Sequence, residues 1–123
     1  PEAVPTAAWR EGFTPDPVTL FRYSALTFNG HRIHYDADYA RDVEGYPALV
    51  VNGGVTTLFL LEAALRRAPE AQLRSYDART HSPLFCGRPM ALCANAPDAS
   101  GQQTLWAEDE AGAVALRLRA RIG

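Results

Sequence analysis

The sequence has no lysine, two cysteines, three histidines and no long apolar run, and each shortage closes off a class of function. Cys86 and Cys93 lie seven apart with no second pair and no histidine at finger spacing. Neither a zinc ribbon nor a disulfide framework is written here, and a reducing cytoplasm is the expected setting. No stretch approaches the roughly 18 apolar residues that span a bilayer, and the N-terminus lacks the charged-then-apolar order of a signal peptide, so no membrane partner is expected. All 12 basic residues are arginine, balanced by 14 acidic ones, and none forms a run that tracks a phosphate backbone. Nucleic acid is therefore not an expected partner. The all-arginine bias reads as the base composition of a GC-rich bacterial genome. A start at Pro1 rather than methionine reads as a chain processed, trimmed or cut from a longer one.

What is present is enough apolar material for one core. At 123 residues and 47% hydrophobic content, one globular domain is expected rather than separate cofactor and substrate halves. Residues 1–17 carry Pro1, Pro5, Pro15 and Pro17 and read as an extended linker or arm, with Trp9 and Phe13 docking part of it to a surface. The domain proper is expected over 18–123, opening with a short helix from Val18 to Leu26. One helical turn follows at Ala40–Val43, closed by Gly45. Asn52-Gly53-Gly54 then precedes VTTLFLLEAALRRA, whose apolar groups cover most of the circumference. That predicts a largely buried helix capped by the Asn52 side chain. After Pro69 the pattern turns to strands at 72–80, 88–94, 102–107 and 113–121. In the last of them Leu116, Leu118, Ala120 and Ile122 alternate with Arg117, Arg119 and Arg121. The expected class is α+β, an antiparallel sheet wrapped round a central buried helix.

Chemistry concentrates in Asn29, His31, His34 and Asp36, upstream of the glycine pair. His31 and His34 are three apart without a third ligand at a recognised spacing, and no metal site is expected. Histidine both takes and gives a proton near neutrality, which suits acid/base work, with the Asn29 amide orienting a water. The plainer alternative is that both histidines hydrogen-bond backbone in a tight loop.

The wider string FRYSALTFNGHRIHYDADYA, followed by VEGYPALVVNGG, resembles the MaoC-like hydratases of the hotdog fold. Within them it is most similar to the branch of type 2 hydroxyacyl-thioester dehydratases and mesaconyl-CoA hydratases. The resemblance covers Phe21 to about Leu65 and extends more weakly to the SPLFCGRP turn. The better-known hydratase pattern pairs an Asp with a His five residues later; Asn29 falls on the first position and His34 on the second, and Asn there is normal for the type 2 branch. The family helix normally starts His-Gly-Pro, where this chain has Asn52-Gly53-Gly54, a departure that either adapts the site to another substrate or retires it.

The resemblance implies a hydro-lyase that reversibly and syn-hydrates trans-2-enoyl thioesters of coenzyme A or acyl carrier protein to 3-hydroxyacyl thioesters, with no cofactor. His34 and Asn29 would be its catalytic residues, and the backbone N–H groups of Gly53 and Gly54 its oxyanion donors. His31, Arg32 and Asn52 would contact substrate. Arg32 either pairs with an acidic acyl group such as mesaconyl or with the carrier's phosphate, or forms a structural ion pair with Asp36 or Asp38. Tyr35 and Tyr39 read as packing. Glu62 either serves thioester hydrolysis, as an acidic helix residue does in other hotdog proteins, or pairs with Arg66 at i+4. A single hotdog leaves a sheet edge that a second copy or a second hotdog half completes, and the proline-rich arm looks like the connector to a degenerate first half. A non-catalytic acyl-thioester-binding module and a hotdog thioesterase are the rival readings.

Overall fold

The chain's architecture is organised by one helix. In the computed structural model, which describes residues 3–123, α3 (Gly53–Arg66) buries Val55, Thr56, Leu60, Leu61, Ala63 and Ala64 against one face of a sheet. A Leu/Ala-rich run without proline favours the helix, and Arg66 places positive charge in its last turn. Each leucine removed from water contributes about 2 kcal/mol to holding the layers together. The sheet has five strands, all antiparallel, in the order β1-β3-β4-β5-β2: β1 is Trp9–Phe13, β2 Leu73–Thr80, β3 Met90–Ala94, β4 Gln102–Glu108 and β5 Val114–Ile122. The period of two in β5 holds, with Leu116, Leu118, Ala120 and Ile122 buried. The α+β arrangement expected from the sequence is therefore the one observed.

Three expectations need correction. Trp9–Phe13 is a sheet strand, so the sheet begins inside the segment expected to be an arm; of that segment, Pro1 and Glu2 lie outside the described residues. The flanking prolines are the misleading feature, because they sit beside the strand and leave its ladder intact. Phe13 packs on Phe59 with ring centroids 4.3 Å apart, and the Arg67 guanidinium lies 4.0 Å over the Trp9 ring. Pro17 then opens α1 (Pro17–Leu26), capped by Asp16, whose Oδ1 accepts from Thr19 N at 2.8 Å. The expected turn at Ala40–Val43 is α2 (Ala37–Asp42), begun earlier because Asp36 caps it through Tyr39 N at 3.1 Å. Gly45, at φ +77°, follows it.

The third correction concerns Asn52. It occupies the N-cap position and its carbonyl accepts from Val55 N and Thr56 N, but its side chain makes no cap hydrogen bond. The amide is drawn into the core, at 3% exposure, instead of turning back over the first turn of α3. Among the described residues no helix is long and apolar enough to cross a membrane.

Candidate active site

The site is built on the loop between α1 and α2. α1 ends where Thr27 bonds back to Tyr23 and where Phe28 takes a left-handed backbone, φ 54°, that turns the chain sharply. Asn29 consolidates the turn: its N–H donates to Ser24 O at 2.9 Å and its Oδ1 accepts from His31 N at 3.1 Å. A single 3-10 turn, Arg32–His34, follows, with Ile33 buried beneath it.

This turn is tied to one residue on the approach to α3. Val50 N donates to Ile33 O at 2.9 Å, and Val50 O lies 2.7 Å from His34 Nδ1. A carbonyl oxygen only accepts, so Nδ1 carries the hydrogen. In the neutral ring Nε2 is then the bare nitrogen, the form a general base needs. The same short segment is held from its other side, Val51 N donating to Leu84 O at 2.8 Å and Cys86 N to Leu49 O at 2.9 Å.

His34 borders a cavity of about 290 Å³ together with Tyr46, Gly53, Thr56, Thr80 and Ser82. A second cavity, of about 660 Å³, shares Gly53, Thr80 and Leu116 with the first and continues past Tyr23 and Gly54 to Leu58, Leu61 and Tyr76. The two meet at Gly53, at the N-terminus of α3. Among the described residues the N–H groups of Gly53 and Gly54 have no hydrogen-bond partner. Left uncapped by Asn52, they present free donors at the positive end of a 14-residue helix. No arginine lines either cavity.

His34 and Gly53 thus line one cavity, and Gly53 and Gly54 its neighbour. Asn29 borders neither: it lines a separate shallow depression with Phe21, Phe28 and Tyr35. The His31 ring stands edge-on to His34 at 5.5 Å but is exposed. Arg32 holds Asp36 at 2.8 and 3.3 Å and stacks 4.1 Å over Tyr39, the structural ion pair weighed from the sequence. Its hydrogen bond keeps the Asp36 carboxyl below the usual carboxylate range. Asn52 borders neither cavity, and neither of its amide atoms has a partner among the described residues. Glu62 is exposed, bonded to Arg66 at 2.8 and 3.0 Å, and away from both cavities; that pairing lowers its pKa. Tyr35 donates to Gly30 O and Tyr39 to Glu44. Among the described residues no group of three His, Cys, Asp or Glu side chains can hold a metal ion.

The residues missed from the sequence are Tyr23, Tyr46 and Thr80, and the Val50 carbonyl. Thr80 had a signal, since Tyr76, Ala78 and Thr80 alternate onto one face of β2. The Val50 carbonyl had none, because a backbone acceptor leaves no mark in residue identity.

Residues 1–86 match the family model for hydroxyacyl-thioester dehydratase type 2. The chain belongs to this family. It is 43% identical over 109 residues to the mesaconyl-C(4)-CoA hydratase of Chloroflexus aurantiacus, covering 89% of this chain and 38% of that protein. It is 37% identical over 94 residues to the mitochondrial hydroxyacyl-thioester dehydratase type 2 of Schizosaccharomyces pombe, covering 75% of this chain and 31% of the relative. This type 2 family member therefore spans about a third of the length of the curated relatives it matches. Among solved structures, the (R)-hydratase of A. caviae superposes with a TM-score of 0.78 at 15% identity, over 99% of this chain and 98% of that one. The MaoC-like dehydratase of Phytophthora capsici gives 0.81 at 18% identity, over all of this chain and 44% of that one. At these identities the likeness is one of fold, and the fold is the hotdog.

Proposed function

We propose that the chain carries the catalytic half of a hydro-lyase acting reversibly on 2-enoyl thioesters. The observation that carries this reading is the hydrogen bond from His34 Nδ1–H to Val50 O, which leaves Nε2 bare on a residue that lines one cavity together with Gly53. His34 takes a proton from water as the water oxygen bonds to the β carbon. The double-bond electrons move onto the thioester oxygen, where Gly53 N–H meets the charge. The enolate then collapses and the α carbon takes the proton back from Nε2, so water is added across the double bond and the base is restored. Asn29 acts in this scheme by shaping the turn that presents His34.

The acyl group is uncharged in this reading. Arg32 is committed to Asp36 and Tyr39, and the walls beyond Gly53 are Leu58, Leu61, Tyr76 and Leu116, with no cation for a second carboxylate. The placement of Glu62 gives thioester hydrolysis no support. The carrier is coenzyme A or acyl carrier protein, and the partner is a second hotdog, as the ChsH1–ChsH2 and HadBC complexes of Mycobacterium tuberculosis illustrate for the fold.

The test follows loss of the enoyl-thioester absorbance with crotonyl-CoA and mesaconyl-CoA. Crotonyl-CoA is expected to be the better substrate, and His34→Ala is expected to slow its hydration on the order of 1000-fold. Unchanged hydration in His34→Ala refutes the mechanism; faster mesaconyl-CoA turnover refutes the uncharged acyl group.

A further inference from the structure

Gly54, the second residue of α3, has a close neighbour on α1. The side chain of Tyr23 reaches across from α1 so that its hydroxyl rests against Gly54, within the volume a Cβ there would fill; that Cβ would also stand 2.6 Å from the ring carbon Cζ. Any residue other than glycine at position 54 would expel this hydroxyl from its place. The glycine thus does more than permit a turn: it admits a phenol to the N-terminus of α3, beside the free N–H groups of Gly53 and Gly54 and on the wall of the larger cavity.

The ring is well supported. It packs against the main core, and α1 is fixed beneath it by fully buried Leu20 and by the Asp16 cap. The hydroxyl, by contrast, makes no hydrogen bond among the described residues. A phenol held by its ring, with its O–H free at a cavity wall, is a preorganised donor.

We propose that Tyr23 Oη–H is a further catalytic donor, meeting the thioester carbonyl oxygen together with Gly53 N–H, and that Gly54 lacks a side chain in order to admit it. This rests on the hydro-lyase reading above. The hydroxyl keeps its proton throughout: it donates a hydrogen bond to the oxygen, which gains charge as water adds, while His34 handles both proton transfers. The bond strengthens as charge develops, so its loss shows in kcat rather than in KM.

Tyr23→Phe keeps the ring and removes only the donor. The expected result is a fall in kcat for crotonyl-CoA on the order of 100-fold with KM changed less than about threefold. Turnover within about twofold of the parent, in a protein whose activity still depends on His34, overturns the role of Tyr23 and leaves the hydro-lyase reading standing. Acetoacetyl-CoA reads the same donor without turnover, because its enolate carries charge on the corresponding oxygen and absorbs in the near ultraviolet. Binding to the parent should raise the enolate fraction, and Tyr23→Phe should lower that bound fraction about tenfold at fixed pH. Parent protein that stabilises the enolate through Tyr23 but hydrates nothing would sink the hydro-lyase reading alone; equal enolate signals in the two proteins sink the Tyr23 proposal.

Discussion

Edge strand β1 precedes α1 and the histidine loop, so what fixes β1 to the sheet also fixes where the site begins. Backbone pairing joins it only to β3, but Arg10 reaches past β3 to Glu108 on β4, at 2.7 and 3.3 Å. Glu108 also accepts from the indole N–H of Trp106 at 2.8 Å and from the Cys93 thiol. Trp106 is only 1% exposed, so its N–H has no solvent to turn to. Glu108→Ala strands that donor and removes the Arg10 pair. A stranded buried donor costs about 1–3 kcal/mol, and the half-exposed ion pair adds less than about 1 kcal/mol, for an expected loss of about 2–3 kcal/mol. Glu108→Gln leaves an amide oxygen for the indole and gives up only the charge, an expected loss of about 1 kcal/mol. At about 4 °C per kcal/mol for a chain of this size, thermal melts should fall by about 10 °C and about 4 °C respectively. The arginine hydrogen bond, then the indole, hold the Glu108 carboxyl below the usual range. A lowered carboxylate pKa stabilises the fold above its unfolded value and ceases to do so as pH falls through its folded value. The gap between parent and Glu108→Gln should therefore be full at pH 7 and close as melts are taken below about pH 4. Equal losses for Ala and Gln at pH 7, or a gap that widens in acid, would refute this account of the node.

Two further outcomes are expected. Gly101 has φ +84°, and a Cβ there would run into the carbonyl oxygen of Ile122, whose own N–H donates to Gly101 O at 3.0 Å; Gly101→Ala should cost about 2 kcal/mol or more in denaturant titration, and a loss under about 0.5 kcal/mol would count against the strain. Burial, and next the charge of Glu108, push the Cys93 thiol up to about 11, so about one in a thousand is ionised at pH 8; a thiol reagent should label Cys93 only as fast as the chain unfolds, and rapid labelling at pH 8 without denaturant would contradict its placement.

What could be read from the sequence follows the range over which each signal acts. β2 to β5 are separated by Ser82-Pro83, Gly87, Pro97–Gly101 and Asp109–Gly112, local signals that mark their boundaries within two residues. The ion pairs Arg32–Asp36 and Glu62–Arg66 were equally legible, because i,i+4 spacing on a turn or helix brings the partners together with no help from the rest of the chain. β1 was not legible: WREGF is short, holds a glycine, stands among prolines, and pairs with a strand about eighty residues away. The side chain of Asn52 is not legible for a related reason, since whether an asparagine caps a helix or sinks into a core depends on what the tertiary structure puts above it. The five-residue interval from Asn29 to His34 marks the loop but not the direction of its side chains. The left-handed Phe28 and the 3-10 turn carry the two residues to different depressions.

The placement of the site comes down to the segment Val50–Gly54. Val50 accepts from His34 and donates to Ile33, and three residues later Gly53 opens α3 with an unpartnered N–H, so the base and the donor of the proposed mechanism are tied to one short segment. Base and donor are therefore registered to each other through a stretch of backbone too short to flex much, clamped on one face by the histidine loop and on the other by Leu84 and Cys86. Registering both on one backbone segment holds reacting groups at fixed separation, the condition under which donors aimed at developing charge have their largest effect. Asn52 fits this economy. As a side-chain cap it would have consumed one of the first free N–H groups of α3; with its amide in the core, those of Gly53 and Gly54 stay open to the cavities. With the Asn52 amide in the core these N–H groups stay unpartnered, and the bare Cα of Gly54 leaves room for the Tyr23 hydroxyl proposed as a third donor.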